Sequence, residues 1–170
     1  MRLLTKDEIT GLLKELGAEL VTEGRRAELF LVGGAAMALA YDTRRSTRDL
    51  AAVFEPKSVV YRAAARIGAA RNLPEDWLND GVKGFLPGED PNAVVLLDHP
   101  GITVRVASPP YLFAMKAMAA RVERDATDLL ALYRLCGFAS VEEALDCISD
   151  HYPPHLISPR TGFLVRELLG

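Results

Sequence analysis

Every strand-like segment of this 170-residue chain lies ahead of Pro109-Pro110, and everything after that pair reads as helix. That order suggests a small mixed sheet covered by helices, with a helical C-terminal third. Ahead of the prolines, Thr5 with Glu8 three residues on predicts a capping box. Ile9, Leu12, Leu13, Leu16 and Leu20 follow at helical spacing, and Gly24 with two arginines ends that helix. "ELFLVGG" predicts a short strand closing on glycines, "AAMALAY" a short helix, and "STRDLAAVF" the next strand, stopped by Pro56. "SVVYRAAARIGAARN" reads as a helix, and the 20-residue "LPEDWLNDGVKGFLPGEDPN" as a loop with a helical turn inside. "AVVLLDHPGITVRVAS" reads as two strands joined at Asp98-His99-Pro100-Gly101. Pro109 and Pro110 suit the first turn of a helix, and the helical remainder breaks at Gly137 and at Pro153-Pro154. The expected class is α+β: a small mixed sheet flanked by helices, with a helical C-terminal third. The expected division is a core over 1–108 and a helical part over 109–170 packed on it.

Composition narrows the functional classes. Twenty basic against 23 acidic side chains leave a net charge of −3, which argues against a nonspecific nucleic-acid coat but allows a local basic patch. The N-terminal "MRLLTKDEIT" lacks the apolar run of a signal peptide, and no segment reaches membrane-spanning length. Cys136 and Cys147 stand isolated and read as reduced core residues of a cytoplasmic protein. His99, His151 and His155 lack metal-ligand spacing, so a zinc site is not expected. Trp77 reads as a packing anchor for the long loop in preference to a base-stacking platform.

The chemistry concentrates in "GGAAMALAYDTRRSTRDLAAVFEP", residues 33–56. Glycines between a strand and a helix let the backbone approach an anion, and the helix N-terminus offers free N–H groups. The pair alone reads equally as a tight turn. No Gly-Lys-Ser/Thr follows it, and the third glycine of a dinucleotide fingerprint is absent. On the predicted strand, Asp49 and residue 51 project to one side, Leu50 and Ala52 to the other. Two carboxylates at that spacing hold one hard cation such as magnesium, which grips a triphosphate. Asp49 holds one such position, and Ala51 supplies no ligand.

Gly-Gly, a short helix and an acidic strand resemble the nucleotidyltransferase superfamily of DNA polymerase beta. Within it, the chain is similar to the AbiEii/MenT-type nucleotidyltransferase toxins of bacteria. Their pattern runs GG-x-A and then R-x-T-x-D-hydrophobic-D-A, and Gly33, Gly34, Ala36, Arg45, Thr47, Asp49, Leu50, Ala51 and Ala52 stand in it here. A helical lysine followed by Arg-Asp-x-x-Asp matches Lys116, Arg124, Asp125 and Asp128. "DWLNDGVKGF" also has the look of this group, and the resemblance covers roughly residues 28–135. It implies a nucleotidyltransferase sheet and transfer of a nucleotide from an NTP to an acceptor, with Mg2+ as cofactor. The implied acceptor is the tRNA 3′ end, which would block translation, and a cognate antitoxin protein or kinase would restrain the toxin. Two other readings stay open: a catalytically silent nucleotide-binding or interaction module of the same fold, and transfer to a protein hydroxyl.

The resemblance also assigns roles. Gly33, Gly34, Arg45, Thr47 and Arg48 would bind substrate, Asp49 would hold the metal, and position 51 would complete the pair. Lys116 would bind phosphate, and Asp125 or Asp128 would be the acid. The one departure is Ala51. Either an aspartate there was changed to disarm a toxic enzyme or the chain is naturally degenerate, and the intact neighbouring positions favour the first. The third carboxylate of the superfamily is missing from "ITVRVAS", which carries Arg105 instead. On one continuous helix Lys116 and Asp125, nine residues apart, point in opposite directions, and Asp128 lies about 120° from Lys116. These groups meet only if the helix breaks near 120–124 or separate helices carry them. Failing that, Asp125 and Asp128 read as salt-bridge partners of nearby arginines, and Lys116 as a snorkelling helix lysine. Arg44, Arg45, Arg48, Arg121 and Arg124 could form a local basic lining, and Lys83 is a further candidate contact.

Overall fold

In the computed structural model the described residues are 3–41, 46–119 and 122–170, the side chains of residues 122–124 excepted. They form a mixed α+β structure that divides into two compact units, residues 1–84 with 92–107, and 85–91 with 108–170.

The first unit opens with β1 (Leu4–Thr5) and α1 (Lys6–Thr22). The Thr5 hydroxyl accepts from the Glu8 N–H at 3.3 Å, and the Glu8 carboxylate accepts from the Thr5 N–H at 3.3 Å, so the capping box is complete. The buried face of α1 carries Ile9, Leu12, Leu13, Leu16 and Leu20, the stripe its spacing predicts. Then come β2 (Ala27–Leu31), α2 (Gly33–Ala40), β3 (Ser46–Thr47), β4 (Leu50–Glu55) and α3 (Lys57–Arg71). The unit closes with β5 (Leu78–Asn79), β6 (Val94–His99) and β7 (Ile102–Val106).

The main sheet runs β5-β4-β2-β7-β6. β2 lies antiparallel to β4 and parallel to β7, β4 parallel to β5, and β6–β7 form the expected hairpin. Buried Leu29, Leu31, Ala52, Phe54, Val104 and Val106 line the central strands. α1 packs on α3, and Arg66 with Glu19 and Glu23, and Arg71 with Glu15, tie the pair at its surface. The β6–β7 turn approaches α1 so closely that a Cβ on Gly17 would stand 2.5 Å from His99 Nδ1. A side chain at position 17 would require the His99 ring to move.

The expected strand over "STRDLAAVF" is two strands. β3 pairs with β1 in a separate two-stranded sheet, whereas β4 belongs to the main sheet. Arg48 and Asp49 form the bend between them. The Thr47 hydroxyl donates to the Asp49 carbonyl at 3.1 Å, and the Leu50 N–H to the Trp77 carbonyl at 2.7 Å, so the chain changes partners at this point. The long loop contains β5 and a short 3₁₀ turn at Lys83–Phe85. Its Trp77 is fully buried and donates from Nε1 to the Ala64 carbonyl at 2.9 Å, the role of a packing anchor.

The second unit contains α4 (Pro109–Ala119), α5 (Val122–Cys136), α6 (Val141–His151) and α7 (Pro159–Leu169). α4 packs against the other three around Tyr111, Leu112, Phe113, Leu132, Ile148 and Val165. Residues 85–91 are held to these helices by hydrogen bonds. The Asp90 carboxylate accepts from the Ser108 N–H at 2.6 Å, and the Tyr111 and Tyr152 hydroxyls donate to the carbonyls of Gly88 and Phe85. Burial pushes both tyrosine hydroxyls up to about 12. No helix among the described residues is long and apolar enough to cross a membrane.

Candidate functional site

β2 ends at Leu31, and α2 begins at Gly33 with φ of +65°. That left-handed value is open to glycine and costly for other residues. Val32 is the N-cap of α2, and its side chain makes no cap hydrogen bond to the first N–H groups of the helix. Ala51 lies directly against this turn. The Val32 N–H donates to the Ala51 carbonyl at 3.1 Å, and a Cβ on Gly33 would stand 3.8 Å from the Ala51 methyl. Gly33, Gly34 and position 51 therefore form one locus.

Asp49 precedes β4 in the bend and is half-buried. The strand-alternation argument that set it beside residue 51 does not apply there, because Asp49 is outside the pleat. Its carboxylate is fixed instead by Asn79, whose Nδ2 donates to Asp49 Oδ2 at 3.1 Å. Asn79 is the ladder partner of Ala51 across β4–β5. Sequence reasoning passed over this residue, although it lies in the "DWLNDGVKGF" stretch that carried part of the resemblance. Thr47 is buried, and its hydroxyl serves the bend. Arg48 is exposed. Arg44, Arg45 and Arg121 lie outside the described residues, as does the side chain of Arg124.

A second polar group missed by sequence reasoning follows Asn79. Asp80 accepts from the Tyr61 hydroxyl at 2.6 Å and pairs with Lys57 Nζ at 2.9 Å, while its own N–H donates to the Tyr61 oxygen at 3.1 Å. The Tyr61 hydrogen bond, with Lys57 beside it, holds the Asp80 carboxyl below its ordinary range. Burial and that same bond raise the Tyr61 hydroxyl. The group pins the end of β5 to the first turns of α3. Arg105, where a third acid was sought, is on β7 and pairs with Glu28 at 3.3 Å. A cavity of about 320 Å³ between α1 and α3 is lined by Asp7, Glu8, Gly11, Leu12, Arg71 and Leu73, and takes in none of the candidate site residues.

In the helical unit, α4 ends at Ala119 and α5 begins at Val122, so Lys116 and the two aspartates stand on separate helices. Lys116 Nζ lies 3.2 Å from a carboxylate oxygen of Asp125 and 3.2 Å from one of Asp128. The lysine side chain is 20% exposed and the aspartates 8% and 9%, so the three form a mostly desolvated ion triad. The opposed directions expected of a continuous helix do not arise.

No protein-family model, curated protein or solved structure matches the chain.

The donor set decides how well magnesium fits. Asp49 is one carboxylate with one oxygen engaged by Asn79, Ala51 is a methyl, and Thr47 serves the bend. Among the described residues no group of three or more His, Cys, Asp or Glu could hold a metal ion. A hard cation needs more oxygen ligands than this locus presents. The described residues of this locus do not by themselves fit a resident magnesium.

Proposed function

We propose that this chain is a nucleotidyltransferase of the toxin type whose site stands one carboxylate short at position 51. The reaction assigned is transfer of a nucleotide from an NTP to the tRNA 3′ end, with loss of translation as the result. The observation that carries the reading is the meeting of Gly33 with Ala51. The glycine turn and the uncapped start of α2 lie against the position at which the Asp-x-Asp pattern requires its second acid. In this reading the α2 N–H groups receive the triphosphate. Asp49 and an aspartate at 51 would form the cation-binding pair, with Mg2+ as the cofactor such a pair takes. Lys116, with Asp125 or Asp128, keeps the phosphate and acid roles that the resemblance implies, all three standing within the helical unit. A cytoplasmic protein restrained by a cognate antitoxin, protein or kinase, is the setting this implies.

A second reading, a catalytically silent nucleotide-binding or interaction module, is favoured by the methyl at 51 together with the closed Asn79–Asp49 contact. One experiment separates the readings. The chain and its Ala51→Asp variant are incubated with labelled NTPs, magnesium and total cellular extract. Label on tRNA with the aspartate variant alone is the expected result. Nucleotide binding without transfer by either chain supports the silent module, and a labelled protein band supports a protein hydroxyl as acceptor. Full transfer by the chain as it stands removes position 51 from the mechanism.

A further inference from the structure

The misfit at the Asp49 locus has a second cause besides Ala51. Asn79 is opposite Ala51 in the β4–β5 register, and all of its amide is engaged. Nδ2 donates to Asp49 Oδ2 at 3.1 Å and to the Asp76 carbonyl at 3.0 Å, while Oδ1 accepts from the Gly81 N–H at 3.2 Å. An amide has two N–H donors and a carbonyl acceptor. Asn79 thus presents a donor toward Asp49 and keeps its one cation-compatible atom, the carbonyl oxygen, in its own turn.

The surrounding segment holds it there. Trp77 is anchored to the Ala64 carbonyl, the Leu50 N–H to the Trp77 carbonyl, and Asp80 to Tyr61 and Lys57. Neighbours on both sides of Asn79 are therefore tethered to α3 or β4, which leaves its side chain little freedom to turn over.

We propose that Asn79 is a positioning residue that fixes Asp49 through Oδ2 and presents an amide donor where a second cation ligand would otherwise stand. Two positions then decide whether this locus takes a metal, 51 on β4 and 79 on β5. A carboxylate at 79 would stand at the same place against Asp49. Two like charges at hydrogen-bond distance repel, and a shared hard cation relieves the repulsion. The inference rests on the reading of Asp49 as the cation position of the proposed site.

The test uses Mn2+ alone, titrated into the chain and followed by loss of the free-ion paramagnetic resonance signal, with thermal unfolding measured in parallel. The chain as it stands is expected to show no Mn2+ binding that depends on Asp49. Asn79→Asp is expected to bind one Mn2+ per chain roughly tenfold or more tighter, the scale on which groups neighbouring a ligand tune metal sites. Its melting temperature should fall in chelator and recover with Mn2+, and Asp49→Asn added to it should abolish both effects. Mn2+ binding by the unaltered chain that Asp49→Asn removes would overturn the proposal, and that arm needs no folded variant at position 79. A folded Asn79→Asp chain that ignores Mn2+ would overturn it equally. Failure of the transferase reading shows separately, as absence of transfer by Ala51→Asp, and leaves the Mn2+ result legible.

Discussion

The methyl of Ala51 and the α-carbon of Gly33 face each other across the first turn of α2, with 3.8 Å between that methyl and the point at which a Gly33 side chain would begin. Two segments 18 residues apart in the chain meet there because β2 and β4 are antiparallel neighbours, with Leu31 opposite Ala52. The glycine is required by its backbone angle before any ligand is considered.

Gly33→Ala places a Cβ on a residue with φ of +65° and should cost about 1–2 kcal/mol of stability. Gly11→Ala is the control, since that glycine is inside α1 with nothing within 4 Å of its Cβ position. It should gain about 0.5–1 kcal/mol by helix propensity. Urea unfolding of both variants checks the pair, and a neutral Gly33→Ala would mean the turn relaxes.

Lys116→Met leaves Asp125 and Asp128, both mostly buried, without the ammonium 3.2 Å from each. Removing one member of a desolvated charge group costs about 3 kcal/mol or more. A chemical-denaturation series should show that loss. A value under about 1 kcal/mol would place the triad with exposed surface pairs.

Tyr61→Phe removes the hydrogen bond that contributes most to the lowered Asp80 pKa. A carboxyl depressed in the folded state stabilises above its unfolded pKa, and that contribution disappears as pH falls through the folded value. The variant should therefore be less stable than the parent by about 1 kcal/mol at neutral pH. The gap should close below the ordinary carboxylate range, near pH 4 and under. Melting curves from pH 7 down to pH 2.5 test the sign, and a gap that widens on acidification contradicts it.

Cys136 and Cys147 are unpaired thiols, and burial pushes them up to about 12 and about 11. Reaction requires the thiolate, so neither should alkylate with iodoacetamide at pH 8 in the folded chain. Both should alkylate after denaturation, and intact-mass spectrometry counts the adducts. Rapid native labelling of either would show that its helix opens readily.

Local chemistry made much of the fold legible. The Thr5–Glu8 box, the α1 stripe, the Pro109 helix start and the β6–β7 hairpin each depend on residues within a few positions of one another. The strand over 46–54 was misread for the same reason. A continuous alternation cannot report that β3 and β4 take different partners, or that a Thr47 hydroxyl bends the chain between them. Lys116 with Asp125 and Asp128 was legible as residue types at a spacing, while their contact depended on where one helix stops. Asn79 carried no signal of its own, since an asparagine in a Pro/Gly-rich loop ordinarily serves a turn.

Sequence alone determined most of the helices and the β2, β6 and β7 strands, where the glycine turn falls, and that position 51 offers hydrocarbon in place of a carboxylate. Those properties follow from backbone freedom, hydrophobic period and side-chain chemistry, all of which are local. Tertiary structure decided that Gly33 touches Ala51, that Asp49 leaves the pleat, and that Asn79 holds its carboxylate. The Gly33–Ala51 and Asn79–Asp49 contacts join segments 18 or more residues apart, and strand pairing brings those groups together.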